Sequence, residues 1–144
     1  MLKHIAAALV LLASAPALVV PALAQTPAKV VSSEAFAASK DKTTLIDVRE
    51  PAEWAETGVP QGAATISISR KDFVDAVLVK VGGDKSAPVA VICKSGARST
   101  KAAEQLSQAG FTNVTNVGDG MMGRPAVGQG WLAARLPTSP APKP

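Results

Sequence analysis

Apolar positions along this chain switch between a period of two and a period near three and a half. Residues 43–48, Thr-Thr-Leu-Ile-Asp-Val, form a β-branched and apolar run that predicts a strand ending at Arg49. Residues 64–68 predict a second strand and residues 112–117 another. Between these two lies Val89-Ala90-Val91-Ile92, an unbroken apolar run of the kind a strand buried on both faces carries. In residues 70–81 the period lengthens, placing Phe73, Val74, Val77, Leu78 and Val81 on one helical face, and Gly82-Gly83-Asp84 stops that helix. Residues 99–109 carry a second stripe, Ala102, Ala103 and Leu106, closed by Gly110. A short helix capped by Ser32 or Ser33 runs to Ser39 with Phe36 as its anchor; Asp41 and Lys42 turn the chain; Pro51 opens another helical turn.

The remaining stretches lack either period. Residues 25–31 form an extended lead-in broken by Pro27, residues 58–62 a loop, residues 118–123 a glycine-rich loop, and residues 131–134 a last short helix. From Leu136 the chain is rich in proline and is expected to be disordered or extended. Strands alternating with helices predict one α/β domain, a central, largely parallel sheet flanked by helices, with ligands beyond the carboxyl ends of the strands.

The first 24 residues have a different character. Lys3 and His4 precede an almost unbroken apolar run from Ile5 to Val20, and Ala22-Leu23-Ala24 is a small-x-small cleavage signal. The pattern is that of a signal peptide with a mature start at Gln25, and it puts the mature protein in the periplasm, off the membrane once the signal is cut. The competing reading is an uncleaved anchor, which Pro16 and Pro21 oppose. The resulting division is a signal at 1–24, a lead-in at 25–31, a domain at 32–137 and a Pro-rich tail at 138–144.

Composition narrows the chemistry. Aromatic residues make up 3% of the chain, so the core falls to Val, Ile, Leu and Ala. The net charge of +4 comes without a long basic run, which argues against nucleic-acid binding but suits small anions. Cys93 is the single cysteine, an unusual feature in an exported chain, and keeping an unpaired thiol there suggests use. One cysteine excludes a Cys-x-x-Cys oxidoreductase and a multi-cysteine metal site. His4 is the single histidine and leaves with the signal, which excludes a histidine-dependent cysteine protease. The chain implies no metal and no organic cofactor.

Cys93 ends the apolar run, and Lys94-Ser95-Gly96-Ala97-Arg98-Ser99 follows at once. A turn this short aims successive N–H groups at one point, and the next helix adds its positive end. Lys94 and Arg98 add formal charge. Such surroundings favour the thiolate, the nucleophilic form of cysteine, and suit attack on an anionic substrate. The plain alternative is an inert core cysteine at a strand end, with Lys94 a solvated surface lysine. Asp47, Arg49 and Asp119 lie at other strand ends. Arg49 either lines the anion pocket or, with Asp47, orders the site by ion pairing; Asp119 is expected to accept backbone N–H groups. Met121 and Met122 suit core filling or a pocket wall, and Trp54 and Trp131 suit packing.

Several of these stretches together resemble the rhodanese-like family. Leu45-Ile46-Asp47-Val48-Arg49-Glu50-Pro51-Ala52-Glu53-Trp54 is similar to its opening motif, and Gly58-Val59-Pro60-Gln61-Gly62-Ala63 to its next. The run from Cys93 to Ser99 resembles its active loop, and Gly118-Asp119-Gly120-Met121 with the segment from Trp131 to Pro137 its close. Two departures stand out: Val59 occupies a place usually held by histidine, and residues 124–130 look inserted, a change that bears on the pocket mouth. The resemblance implies an exported single-domain sulfurtransferase. Its Cys93 would take sulfane sulfur from thiosulfate or a similar donor as a persulfide and hand it to cyanide or a thiol. Residues 94–99 would hold the donor anion, and a sulfur-relay protein is a possible partner. A carrier module in periplasmic sulfur relay is the alternative. A cysteine phosphatase or arsenate reductase fits less well, because the Cys93 to Arg98 spacing is one residue shorter than their Cys-x5-Arg loop.

Overall fold

The computed structural model describes residues 25–39 and 42–143. The expected signal segment and Asp41 lie outside the described residues. Eleven elements follow in order: β1 (Lys29–Val31), α1 (Ser33–Ser39), β2 (Thr44–Asp47), α2 (Pro51–Thr57), β3 (Val59–Pro60), β4 (Ala64–Thr65), α3 (Phe73–Lys80), β5 (Val89–Ile92), α4 (Ala97–Gln108), β6 (Val114–Val117) and β7 (Thr138–Ser139). Five strands form one parallel sheet in the order β1-β6-β5-β2-β4.

Strand alternation explains the two-sided core. Val89, Val91 and Cys93 point to one face with Ile46 and Val48, where they meet Phe73 and Val77 of α3 and Ala102, Ala103 and Leu106 of α4. Ala90 and Ile92 point to the other face with Leu45, Val117, Met121 and Trp131, against Phe36 and Ala37 of α1. All four residues of β5 are fully buried, as its unbroken apolar pattern requires. The helical stripes of α3 and α4 lie on the core as the periodicity predicts.

Three stretches depart from the sequence reading. The lead-in is not merely extended: β1 pairs in parallel with β6 and closes one edge of the sheet. Residues 58–62 are not plain loop, because Val59 and Pro60 pair antiparallel with Ser139 and Thr138, which gives the Pro-rich tail the extended of its two expected forms there. The Gln61 amide and the Trp131 indole N–H both donate to the Pro137 carbonyl at 3.0 Å, so the start of the Pro-rich segment is tied to the domain. Residues 131–135 form tight turns instead of a helix. Gly130 at φ 90° precedes them and Arg135 at φ 54° ends them, which leaves too few residues to propagate a helix. Among the described residues no helix is long and apolar enough to cross a membrane.

Candidate functional site

Asp47, Ile92 and Val117 stand on one rung of the parallel sheet. The residues just after them, Val48 and Arg49, Cys93, and Gly118 and Asp119, therefore gather beyond the same edge. That is where a parallel sheet presents its ligand site.

Cys93 is 1% exposed and continues the inward row of β5. Its Sγ receives the Gly96 N–H at 3.1 Å and donates to Ser99 Oγ at 3.4 Å. The chain makes this return in three residues because Gly96 adopts φ +96°. A methyl group at Gly96 would overlap the Gly118 carbonyl oxygen and come within 3.3 Å of Arg124 Nη1. Gly96→Ala is thus expected to cost at least about 2 kcal/mol in urea unfolding, from the left-handed backbone and the overlap together. A loss below about 0.5 kcal/mol would show that the turn relaxes freely.

Helix α4 starts directly from this turn, two residues earlier than its apolar stripe suggests, with its N-terminus facing the loop. The amides of Ser95, Ala97, Arg98 and Ser99 have no acceptor among the described residues. Ser95 and Ala97 are exposed and Arg98 is partly so, while Ser99 is buried, so the first three of these orphan donors border the surface next to the buried thiol. This cradle of amides is held from behind. Met121 and Met122 donate their N–H groups to the Cys93 and Lys94 carbonyls at 2.8 and 2.9 Å. Asp119, fully buried, accepts the Ser33 N–H and hydroxyl at 2.8 Å each and the Gly130 N–H at 3.0 Å. Its donors thus come from α1 and from the end of the 124–130 segment, and not from its own loop.

The charged residues divide sharply. Asp47 and Arg49 are 0% and 1% exposed and bond each other through Nη2 and Oδ2 at 2.7 Å, with Nε to Oδ1 at 3.0 Å. They support the sheet edge and do not face solvent. Arg98 commits both terminal nitrogens to Glu53 of α2 at 2.6 and 2.7 Å. What it brings to the cradle is therefore the field of a partly exposed ion pair. Lys94 is exposed and forms no ion pair among the described residues. Met121 lies in the core, but Met122 is 55% exposed beside the loop. Trp131 packs as expected; Trp54 is half-buried with its indole N–H unpartnered.

The hydrogen bond from Arg98 holds the Glu53 carboxyl at about 2, against an ordinary value of 4.5, with burial opposing and a bond at Glu50 assisting. Glu53 in turn pushes the Arg98 guanidinium further up. The folded carboxyl is the stronger acid, so the pair's stabilisation is full above pH 4.5 and fades as pH falls toward about 2. In urea titrations, wild type and Glu53→Gln are expected to differ most above that window and to converge at its acid end. A difference independent of pH would refute the linkage.

No local sequence signal marks Glu53, 45 residues from Arg98, or Thr100 and Asn116, whose Oγ1 and Nδ2 meet at 3.0 Å behind the loop. Two grooves of about 360 Å³ each occur, one between Gln25 to Ala28 and α4, lined also by Thr100 and Asn116, and the other around Phe36, Gln61 and Trp131; neither is lined by Cys93. Among the described residues no cluster of three metal-ligating side chains occurs.

This arrangement has known counterparts. The family model for the rhodanese-like domain matches residues 32–123. An uncharacterized protein of Rickettsia conorii is 34% identical over 105 residues, covering 69% of this chain and 85% of that one. The thiosulfate sulfurtransferase PspE of Escherichia coli is 40% identical over 73 residues, covering 51% of this chain and 66% of its own. The polysulfide-sulfur transferase homodimer of Wolinella succinogenes superposes with a TM-score of 0.59 at 30% identity, covering 78% of this chain and 79% of that one.

Proposed function

The chain belongs to the rhodanese-like domain family, and from that premise we propose that it is a sulfurtransferase working through a Cys93 persulfide. The observation that carries the proposal is the Cys93 sulfur, receiving one loop amide while those of Lys94, Ser95, Ala97, Arg98 and Ser99 have no acceptor among the described residues.

The Cys93 thiolate attacks the outer sulfur of a sulfane donor. With thiosulfate, a bond forms between Sγ and that sulfur, the donor's S–S bond breaks, and its electron pair leaves with sulfite. The persulfide anion then sits among the loop amides, which stabilise negative charge where it is placed. A cyanide or thiolate acceptor attacks the outer sulfur, and the Sγ–S pair returns to Cys93 as thiolate. The donor amides are backbone groups and the nearby carboxylates are engaged, Asp47 and Glu53 in ion pairs and Glu50 and Asp119 by hydrogen bonds, so the step uses positioning and fixed dipoles, with no proton transfer from a side chain.

Two donor classes have support. The relative named for thiosulfate favours that anion; the structural neighbour named for polysulfide favours a longer, uncapped chain of sulfur. A carrier role in a sulfur relay differs only in the source of the sulfur. The signal-like segment at 1–24 supports a periplasmic setting. The test is the intact mass of the exported protein before and after thiosulfate, and separately after polysulfide. The expected species begins at Gln25 and gains one sulfur. No gain from either donor, with the thiol still titratable, would overturn the persulfide reading.

A further inference from the structure

Three hydrogen bonds converge on one carbonyl of the cradle. Gly96 O accepts the Thr100 N–H at 3.0 Å, the Thr100 hydroxyl at 2.8 Å and the Ser99 hydroxyl at 3.1 Å. A carbonyl oxygen has two lone pairs, so this acceptor is saturated. Thr100 is itself held, because Asn116 Nδ2 donates to its Oγ1 at 3.0 Å. Asn116 is 3% exposed on β6, and its Oδ1 meets no donor among the described residues. A buried amide with one end unpaired sacrifices stability that an apolar side chain of the same shape would keep.

The bonded carbonyl belongs to the peptide joining Gly96 and Ala97. The other end of that peptide is the Ala97 N–H, one of the acceptor-free donors at the first turn of α4. Donors on a carbonyl oxygen polarise the peptide and strengthen its N–H. Gly96 therefore separates two tasks: its own N–H addresses the Cys93 sulfur, and the next peptide turns its N–H to the cradle. Ser99 cannot serve both ends throughout. It receives the Cys93 S–H and donates to Gly96 O, so once the sulfur is ionised its hydroxyl is the nearest side-chain donor for the thiolate. Thr100 then keeps its hold on the Gly96 carbonyl.

We propose that Thr100 and Asn116 are positioning residues for the anion cradle. Asn116 orients the Thr100 hydroxyl, and Thr100 fixes and polarises the peptide that presents the Ala97 N–H. The inference rests on the reading of the loop as an anion cradle but not on which sulfur donor fills it.

The test compares alkylation of Cys93 by anionic iodoacetate and neutral iodoacetamide in the same full-length protein. Their rate ratio cancels changes in thiol nucleophilicity and general access, and reports how well the loop receives an anion. The charged side chains around Cys93, namely Asp47, Arg49, Glu50, Glu53, Lys94, Arg98, Asp119 and Arg124, are the same in every variant. Thr100→Val is expected to lower the ratio about five-fold and Asn116→Leu about two-fold, the scale of one neutral hydrogen bond and of its orientation. Thr100→Ser keeps the hydroxyl and is expected to keep the ratio. A wild-type ratio in folded Thr100→Val, or an equal loss in Thr100→Ser, overturns the inference. If Thr100→Val does not fold, a wild-type ratio in Asn116→Leu does the same. Because no sulfur donor is present, a wild type that gains no sulfur from thiosulfate or polysulfide but shows these ratio changes refutes the sulfurtransferase reading alone.

Discussion

Cys93→Ser is expected to abolish sulfur transfer, lowering turnover by roughly 10⁴-fold or more, the scale of losing a covalent nucleophile. A serine hydroxyl attacks only when a base takes its proton, and this site offers none. Histidine occurs in the chain only at position 4, outside the described residues. The carboxylates around the sheet edge are engaged: Asp47 by Arg49, Glu53 by Arg98, and Asp119 by Ser33 and Gly130. The variant should nonetheless fold. Serine is close in size to cysteine, and its Oγ can still receive the Gly96 N–H. The measurement is thiocyanate formed from thiosulfate and cyanide, with the intact mass read alongside. Wild type should gain one sulfur and the variant none. Turnover above about one hundredth of wild type in a folded variant would place the sulfur elsewhere and sink the persulfide mechanism.

The residues that locate this chemistry were legible because their signals are local. The apolar run into Cys93, the turn residues behind it and the helical stripe beyond Ser99 all lie within about twenty positions, and period and turn chemistry act over that range. What escaped is what distant pairing decides. β1 and β7 have 3 and 2 residues and carry no period of their own; each exists because a partner strand far along the chain offers its edge. The charge of Arg98 was visible, but its commitment to Glu53 depends on where α2 docks. Asn116 looked like an ordinary polar position in a strand, and only the fold shows that it is buried behind the loop. Asp47 and Arg49 sit between these cases. Two residues apart, they suggested a pair at once, but their burial follows from the strands on either side.

That burial makes Arg49→Met the substitution with the largest expected effect on stability. Arg49 bonds Asp47 through Nε and Nη2, Thr57 Oγ1 through Nη1 at 2.9 Å, and the Gly58 carbonyl through Nη2 at 2.9 Å. One side chain thus ties the end of β2 to the end of α2, the helix that also carries Glu53 to Arg98. Removing it leaves the Asp47 carboxylate fully buried without its counter-charge, and breaking such a pair from one side costs about 3–5 kcal/mol. That is a large share of a small domain's stability, typically about 5–15 kcal/mol. The size of the loss comes mostly from the stranded charge and not from the net worth of the pair, and the two contributions can be separated. In the double variant Asp47→Leu with Arg49→Met, no charge is left behind, and at least about half of the lost stability should return, since buried pairs replaced by apolar side chains are often close to neutral. Urea unfolding of the two single variants and the double variant measures this directly. A single-variant loss under about 1 kcal/mol would mean that water reaches Asp47 in the native state. A double variant as unstable as Arg49→Met would instead place the cost in the lost ties to Thr57 and Gly58, making Arg49 chiefly the clasp between β2 and α2.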